Sequence, residues 1–116
     1  MTATGPLSTP AVLADLVAFQ SGSVVSRTLR KSTSGSLTLF AFDVGEGLSE
    51  HTTPHDATVL VLEGTANISV AGVSHRVSAP EALLLPGGIP HALQAPERFK
   101  MLLVVHRTDE PQGTPR

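Results

Sequence analysis

The chain has no cysteine, no tryptophan and no tyrosine among its 116 residues, and it has only four phenylalanines. Without cysteine, neither a disulfide framework nor thiolate chemistry is possible. Few aromatic rings mean few platforms on which nucleobases or sugar rings could stack. These absences narrow the function to what histidine, threonine, glutamate and aliphatic side chains can do in a pocket.

Charge and long apolar segments are also scarce. Charged residues make up 16% of the chain, the formal net charge is −2, and no basic stripe is present, so nucleic acid is a poor partner. The longest apolar runs, such as residues 99–105, are interrupted or far shorter than the roughly 20 residues that span a membrane. The first twenty residues contain no Lys or Arg and include Asp15, unlike a signal peptide. We therefore expect a cytoplasmic protein with no nucleic-acid or membrane partner.

The length and the 41% apolar content are those of one globular domain. A domain of this size buries roughly two-thirds of its unfolded surface, enough for one core. We expect residues 1–22 to form an arm, with a possible short helix that starts at Pro10 and is capped by Thr9. Residues 23–107 form the domain itself, and the polar residues 108–116 form a flexible tail.

From residue 23 onward the pattern has a period of two residues. Short β-branched and apolar segments are separated by Gly and Pro roughly every 8–12 residues, which predicts eight or nine strands in an all-β sandwich or barrel. Several segments are apolar on consecutive residues, so we expect burial on both faces and a homodimer contact outside the barrel. The predicted strands are 23–30, 37–44, 48–53, 57–63, 66–70, 73–78, 82–85, 90–95 and 99–106.

Two histidines carry most of the chemical information. His51 shares strand parity with Thr53, whereas Glu50 points to the opposite face. His91 follows a Pro-Gly-Gly turn, where glycine permits positive φ angles and close backbone approach. His55 has the parity of His51 and would point inward with it, but it also fits the tip of a hairpin that meets water.

The segments GEGLSEH…LEG and LLPGGIPHAL resemble the two motifs of the cupin superfamily, and EGLSEHTTPHDATV resembles a subgroup of small cupins of unassigned function. The resemblance covers about residues 35–106. It implies a double-stranded β-helix, the jelly-roll barrel of cupins, that dimerises. It puts His51 and His91 at metal-ligand positions, with Gly64, Pro86 and Gly88 matching the surrounding motifs. This chain differs from the family at the other two metal-ligand positions. Thr53 occupies the position of the family's second histidine, and Ala57 occupies that of its glutamate.

The resemblance leaves three interpretations of the two histidines open. They share a divalent metal ion (zinc, nickel, manganese or iron), with His55 completing a triad; they bind a small polar or anionic ligand without metal; or they are structural residues at the barrel mouth. Three imidazoles and water suffice for a divalent ion. The remaining pocket is predicted to be lined by Thr53, Val59, Val61, Leu85, Leu93 and Met101.

Three functions correspond to these interpretations. The first is a stand-alone cupin that binds a divalent ion, a small polar ligand or both. The second is a metal-dependent enzyme of isomerase or dioxygenase type, with open positions on a histidine-based centre. The third is a metal-free small-molecule sensor domain, although no DNA-binding helices accompany it in the sequence. No nucleophile elbow, phosphate loop or pair of catalytic carboxylates is apparent.

Overall fold

The computed structural model describes residues 5–107, and in this part of the chain the predicted all-β fold is confirmed. It contains nine strands and one short 3₁₀ turn, with no α-helix among the described residues. The elements are the 3₁₀ turn Leu13–Leu16 and the strands β1 (Val24–Ser32), β2 (Gly35–Phe42), β3 (Gly47–His51), β4 (Asp56–Glu63), β5 (Thr65–Val70), β6 (Val73–Ser78), β7 (Ala82–Leu85), β8 (His91–Gln94) and β9 (Phe99–His106).

The strands form two antiparallel sheets. The five-stranded sheet has the order β1-β2-β9-β4-β7, and the four-stranded sheet has the order β3-β8-β5-β6. The chain passes repeatedly from one sheet to the other, so the sheets enclose a common interior, as in the jelly-roll barrel that the resemblance implied. Each sheet presents one face of alternate residues to this interior.

The core between the sheets follows this alternation. In β4, Ala57, Val59 and Val61 are buried, whereas the residues between them are partly exposed. Phe42 and Phe99 stack in the core with ring centroids 4.4 Å apart and planes 10° from parallel. The core thus combines aliphatic residues with one stacked aromatic pair.

The outer face of the five-stranded sheet is covered in part by the N-terminal arm. Leu62 and Leu102 lie there, partly buried against the arm residue Val17, which is 6% exposed. Farther along the same sheet, Leu84 is 53% exposed. Within one chain, the apolar residues on this outer face are therefore partly buried beneath the arm and exposed at β7, where the prediction had placed a contact between two copies. The homodimer stays a prediction.

The arm is not the helix that the sequence suggested from Pro10. Between residues 5 and 22 its only helical element is the 3₁₀ turn, and Val12, which precedes that turn, makes no side-chain capping hydrogen bond. Contacts with the sheet hold the arm instead. Lys100 Nζ donates to the carbonyl oxygen of Ala14 at 2.7 Å, and the same ammonium lies 5.0 Å from the centroid of the Phe19 ring.

Two further predictions concern the C-terminal tail and membrane-spanning segments. The tail at residues 108–116 lies outside it. Within residues 5–107, no helix has the length and apolar character needed to cross a membrane.

Candidate metal and ligand site

A small cavity of about 80 Å³ lies between the two sheets. A water molecule in the liquid occupies about 30 Å³, so the cavity has room for a few water molecules or a small ligand. It is much smaller than the roughly 300–1,000 Å³ of sites for drug-sized ligands. Its walls are formed by Leu48, His51, Thr53, Ala57, Leu85, His91, Leu93, Met101, Leu103 and Val105.

His91 reaches the cavity through the loop that precedes β8. The backbone N–H of Gly87 donates to Asp56 Oδ1 at 2.8 Å, and that of Gly88 donates to the Thr53 carbonyl oxygen at 2.7 Å. A Cβ atom on Gly87 would lie 2.6 Å from the Pro54 carbonyl oxygen, so only glycine allows this approach. The loop is therefore docked against the β3–β4 connection, and His91 begins β8 from a fixed position.

A β-bulge brings His51 to the same cavity. Leu48 pairs with Leu93 and His51 pairs with His91, so three steps along β3 match two steps along β8. The extra residue turns Leu48 and His51 toward the same side, although their strand parity is opposite. An uninterrupted strand would place only one of the two in the cavity.

The two imidazoles meet at their outer nitrogens. Nε2 of His51 and Nε2 of His91 are 3.1 Å apart, and the rings are inclined at 70°. Nδ1 of His51 lies 2.9 Å from the Ser49 carbonyl oxygen, and Nδ1 of His91 lies 3.3 Å from that of Ile89. A carbonyl oxygen only accepts hydrogen bonds, so both contacts are hydrogen bonds in the tautomer that carries its proton on Nδ1. In neutral rings both Nε2 atoms then present lone pairs to each other.

The surroundings of His91 also favour its neutral form. His91 is 5% exposed, and this burial lowers the pKa of its imidazole from 6.5. The neighbouring His51 lowers the pKa of His91 further, while the contact with the Ile89 carbonyl raises it. The net lowering keeps the Nε2 lone pair of His91 unprotonated near neutral pH.

The spacing of the two nitrogens suits adjacent ligands of one metal ion. Nitrogens bound at about 2.0–2.1 Å lie roughly 2.8–3.0 Å apart in octahedral geometry and roughly 3.3–3.4 Å apart in tetrahedral geometry, and the 3.1 Å observed here lies between these two ranges. Within residues 5–107, however, no group of three or more His, Cys, Asp or Glu residues could hold a metal ion. The chain therefore offers two imidazole ligands at this point. Water or an external ligand would have to occupy the remaining coordination positions of an ion.

The structure does not bring His55 into this group. It is partly buried, but it is not one of the residues that line the cavity. The strand ends at His51, and residues 52–55 form an irregular connection to β4, so the parity that related His55 to His51 does not continue through Pro54. Thr53 does line the cavity, and its hydroxyl donates to the His55 carbonyl oxygen at 3.3 Å.

The structure places three of the five predicted aliphatic residues at the cavity. Leu85, Leu93 and Met101 line the cavity, whereas Val59 and Val61 are fully buried in the core and do not. All three β4 residues with inward parity face the interior, but only Ala57, at the start of the strand, lies at the cavity. Val59 and Val61 thus share the inward face of β4 with Ala57 but lie farther along the strand, in the core.

Sequence reasoning missed one other contribution. The sequence pattern places Asp56 only in a turn, but its carboxylate accepts the hydrogen bond that fixes the Gly87 loop. The sequence signal for this loop docking would be an aspartate next to a Pro-His turn. The glycine loop that it holds would be a Pro-Gly-Gly segment elsewhere in the chain.

A family model described as a cupin domain matches residues 38–106, which is more than half of the chain. The chain belongs to the cupin family. The sequence resemblance is thereby confirmed. Thr53 and Ala57, the two residues at which this cupin differs from the family motif, both line the cavity that contains the imidazoles.

Solved structures similar to this cupin include proteins without an assigned function. A conserved protein of unknown function from Streptococcus pyogenes is 34% identical, with 88% of this chain and 89% of that chain covered and a TM-score of 0.80. A cupin superfamily protein from Desulfitobacterium hafniense is 29% identical, with 93% and 99% covered and a TM-score of 0.84. A cupin 2 conserved barrel domain protein from Leptotrichia buccalis is 38% identical over 81% of this chain and 46% of that one, with a TM-score of 0.79. No curated protein matched the chain.

Proposed function

We propose that this cupin binds a divalent transition metal ion between His51 and His91 and holds a small ligand in the adjoining cavity. One observation carries the proposal: the two Nε2 atoms are 3.1 Å apart while both Nδ1 atoms face carbonyl oxygens. Two neutral imidazoles in this arrangement repel each other through their lone pairs. A cation that both lone pairs contact removes that repulsion.

The backbone supports the proposal by fixing both rings before an ion arrives. The Ser49 and Ile89 carbonyls set the ring orientations, as outer-shell hydrogen bonds do in metal sites. The bulge in β3 and the docked loop before β8 set the positions of the two residues. Little side-chain entropy is then lost when an ion binds.

The ligand type narrows the choice of ion. Imidazole nitrogen suits zinc, iron and nickel, whereas manganese favours carboxylate and water oxygen. With two imidazoles and no carboxylate lining the cavity, zinc and nickel are the ions we expect to bind best.

The proposal is for binding rather than turnover. When bound, the ion would supply a Lewis acid that polarises an oxygen of the ligand. The aliphatic walls of the cavity would orient that ligand, whereas His51 is exposed and leaves the ion open to water. Once both imidazoles hold the ion, Thr53 is the one polar side chain left in the cavity wall, and a hydroxyl is a poor general acid or base.

Calorimetric titration with Zn²⁺ and Ni²⁺, after treatment with a chelator, tests the proposal. We expect one ion per chain, with binding lost in His51→Ala and in His91→Ala. His75→Ala is the matched control, because it removes an imidazole on β6 outside the cavity. Unchanged ion binding in His91→Ala would overturn the proposed site.

A second candidate function is metal-free binding of a small anion. It is favoured by the same 3.1 Å separation, which is also a hydrogen-bond distance, so one proton shared by the two Nε2 atoms would make the pair a cation. This candidate predicts acetate or phosphate binding to chelator-treated protein, with no change on adding zinc. Binding that requires the ion would exclude it.

A further inference from the structure

β1 is an edge strand of the five-stranded sheet, and among the described strands only β2 pairs with it. The backbone N–H of Asp43 donates to the Ser23 carbonyl oxygen at 3.1 Å, and in an antiparallel pair such bonds recur at every second residue. Val24, Ser26 and Thr28 therefore direct their backbone N–H and C=O groups away from β2. In the described part of the chain, no other hydrogen bond reaches these groups.

A groove of about 530 Å³ lies beside this edge, between β1 and the N-terminal arm. Residues 25–27 of β1 form one wall, and because they are consecutive, that wall is not a single face of the strand. Arm residues 16–20 form the other wall. The Phe19 ring in this wall lies 5.2 Å from the guanidinium carbon of Arg98 and 5.0 Å from Lys100 Nζ, so it is fixed before any partner arrives.

The edge strand is basic. Residues 16–42 contain Arg27, Arg30 and Lys31 but no aspartate or glutamate, although the whole chain has a formal net charge of −2. All three cations belong to β1 and are exposed. A second β1 strand docked on this edge would bring like charges together, which is destabilising. The charges thus oppose pairing between two copies of the edge and favour an acidic strand.

A β-bulge limits how far a docked strand can follow β1. The register between β1 and β2 is regular from Val24 to Thr28 and shifts between Thr28 and Arg30. A bulge bends its strand and disrupts the ladder, so the usable edge is the segment Val24–Thr28. Within it, Val25 and Arg27 share the face of the sheet on which the arm lies. A docked strand would place one residue opposite each, and a carboxylate is the favourable partner of Arg27.

We infer that the free edge of β1 binds an extended acidic peptide segment of a partner protein, which adds to the sheet as a further strand. Main-chain hydrogen bonds supply the affinity, and the arginine and lysine side chains select for glutamate or aspartate. Arg27 Nη1 donates to the Leu16 carbonyl oxygen, and the other N–H groups of this guanidinium are available to a carboxylate. Of the described residues that line the imidazole cavity, none belongs to β1, so this interaction is independent of the proposed ion binding.

Fluorescence polarisation with a labelled synthetic peptide tests the interaction. In this peptide glutamate and valine occupy alternate positions, with threonine between them, so one face carries both the acidic and the apolar side chains. We expect saturable binding to the wild-type protein. Replacing glutamate with glutamine should weaken binding roughly threefold or more. Methylating alternate backbone nitrogens of the peptide should weaken it roughly tenfold, because the methylated positions cannot donate to the strand edge.

Two variants at one position provide the matched comparison. Ser26→Pro removes the central free N–H of the edge, and edge strands accept proline where that group faces solvent. Ser26→Ala keeps the N–H and removes only the hydroxyl. We expect a roughly tenfold loss of peptide affinity in Ser26→Pro and no change in Ser26→Ala. Arg27→Gln should weaken binding of the glutamate peptide and leave that of the glutamine peptide unchanged.

Amide hydrogen exchange locates the bound peptide on the strand. Saturating peptide should slow exchange at Val24, Ser26 and Thr28, whereas the amides of Val25 and Arg27, which face β2, should be protected with and without it. Unchanged exchange at the first three residues would overturn edge pairing, even if the proline variant fails to fold.

The remaining outcomes test the identity of the occupant. Absence of binding, or equal affinity for the glutamate and glutamine peptides, would overturn an acidic partner. Sedimentation of the wild type and Ser26→Pro tests a second copy as the occupant. A wild-type dimer that Ser26→Pro converts to monomer would assign the edge to that second copy and overturn the inference. The same oligomeric state in both proteins, together with peptide binding, would support it.

Discussion

Arg98 Nε donates a 2.8 Å hydrogen bond to Oδ1 of Asp43, although 55 positions separate the two residues in the sequence. The same carboxylate accepts the backbone N–H of Gly22 at 2.7 Å and that of Val44 at 2.9 Å. These hydrogen bonds, that of Gly22 first, lower the pKa of Asp43 from 3.8 to about 2. Asp43 thereby joins the end of the N-terminal arm, the end of β2 and the turn before β9.

Asp43 is expected to make the protein sensitive to acid. Its pKa is lower in the folded than in the unfolded state, so its contribution to stability is present above pH 3.8 and is lost as the pH falls toward about 2. Urea unfolding at a series of pH values should show this loss in the wild type. Asp43→Asn should be less stable at neutral pH and show a weaker pH dependence in the acid range. Arg98→Ala should weaken the dependence only in part, because both backbone donors remain; an unchanged acid profile in Asp43→Asn would contradict the assignment.

His91 is expected to stay neutral to a lower pH than an ordinary histidine. Burial lowers its pKa from 6.5, so in chelator-treated protein its ring should take up a proton only below that value. Nitrogen-15 NMR of the imidazoles measures both the pKa and the tautomer, and we expect the proton on Nδ1 of both His51 and His91. A proton found on Nε2 of either ring would contradict the lone-pair arrangement.

Gly87→Ala is expected to weaken ion binding from outside the cavity wall. The new Cβ would lie 2.6 Å from the Pro54 carbonyl oxygen, so the loop must move away from the β3–β4 connection and shift His91 with it. We expect a loss of about 1–3 kcal/mol in the free energy of unfolding and weaker zinc binding by calorimetry.

Gly72→Ala is the matched control for this loop. Gly72 has a φ of 79°, and a methyl group added there would meet no atom within 4 Å, so its substitution costs stability through backbone strain alone. It lies in the turn between β5 and β6, and ion binding should be unchanged. Equal losses of ion affinity in both variants would show that general destabilisation, and not loop docking, controls the site.

Leu93→Ala is expected to enlarge the ligand cavity. Leu93 is 2% exposed and lines the cavity, so its truncation should cost about 2–5 kcal/mol of stability. Ile68 pairs with it across the sheet, is fully buried and is not part of the cavity wall, so Ile68→Ala should cost a similar amount. Only Leu93→Ala should admit larger ligands to the cavity, measured by titrating carboxylates from acetate to hexanoate as probes of size. The same preference in both variants would show that Leu93 does not limit ligand size.

The sequence was most informative about the strands. Alternating apolar residues bounded by Gly and Pro determine which face of a strand is buried, and the structure follows this in β4, where Ala57, Val59 and Val61 are buried in turn. The similarity to the cupin motifs predicted that His51 and His91 lie close together. Their approach depends on contacts across 40 positions of sequence, which strand periodicity alone does not reveal.

The other parts of the site depend on structural features that leave no periodic pattern in the sequence. The bulge in β3 adds one residue between Leu48 and His51, and no residue type there announces it. The end of β3 at His51 removed His55 from the predicted triad, because parity has meaning only along an unbroken strand. Position along β4 decided that Ala57 and not Val59 lines the cavity, and strand periodicity does not specify that position.

The two sheets supply different parts of the site. Both imidazoles stand on neighbouring strands of the four-stranded sheet, whereas Ala57, Leu85, Met101, Leu103 and Val105 belong to the five-stranded sheet opposite. Leu48 and Leu93 share the sheet of the imidazoles, so changes there should disturb both rings and cavity. A designer could instead reshape the wall formed by the five-stranded sheet while leaving the nitrogen pair and its supporting carbonyls untouched.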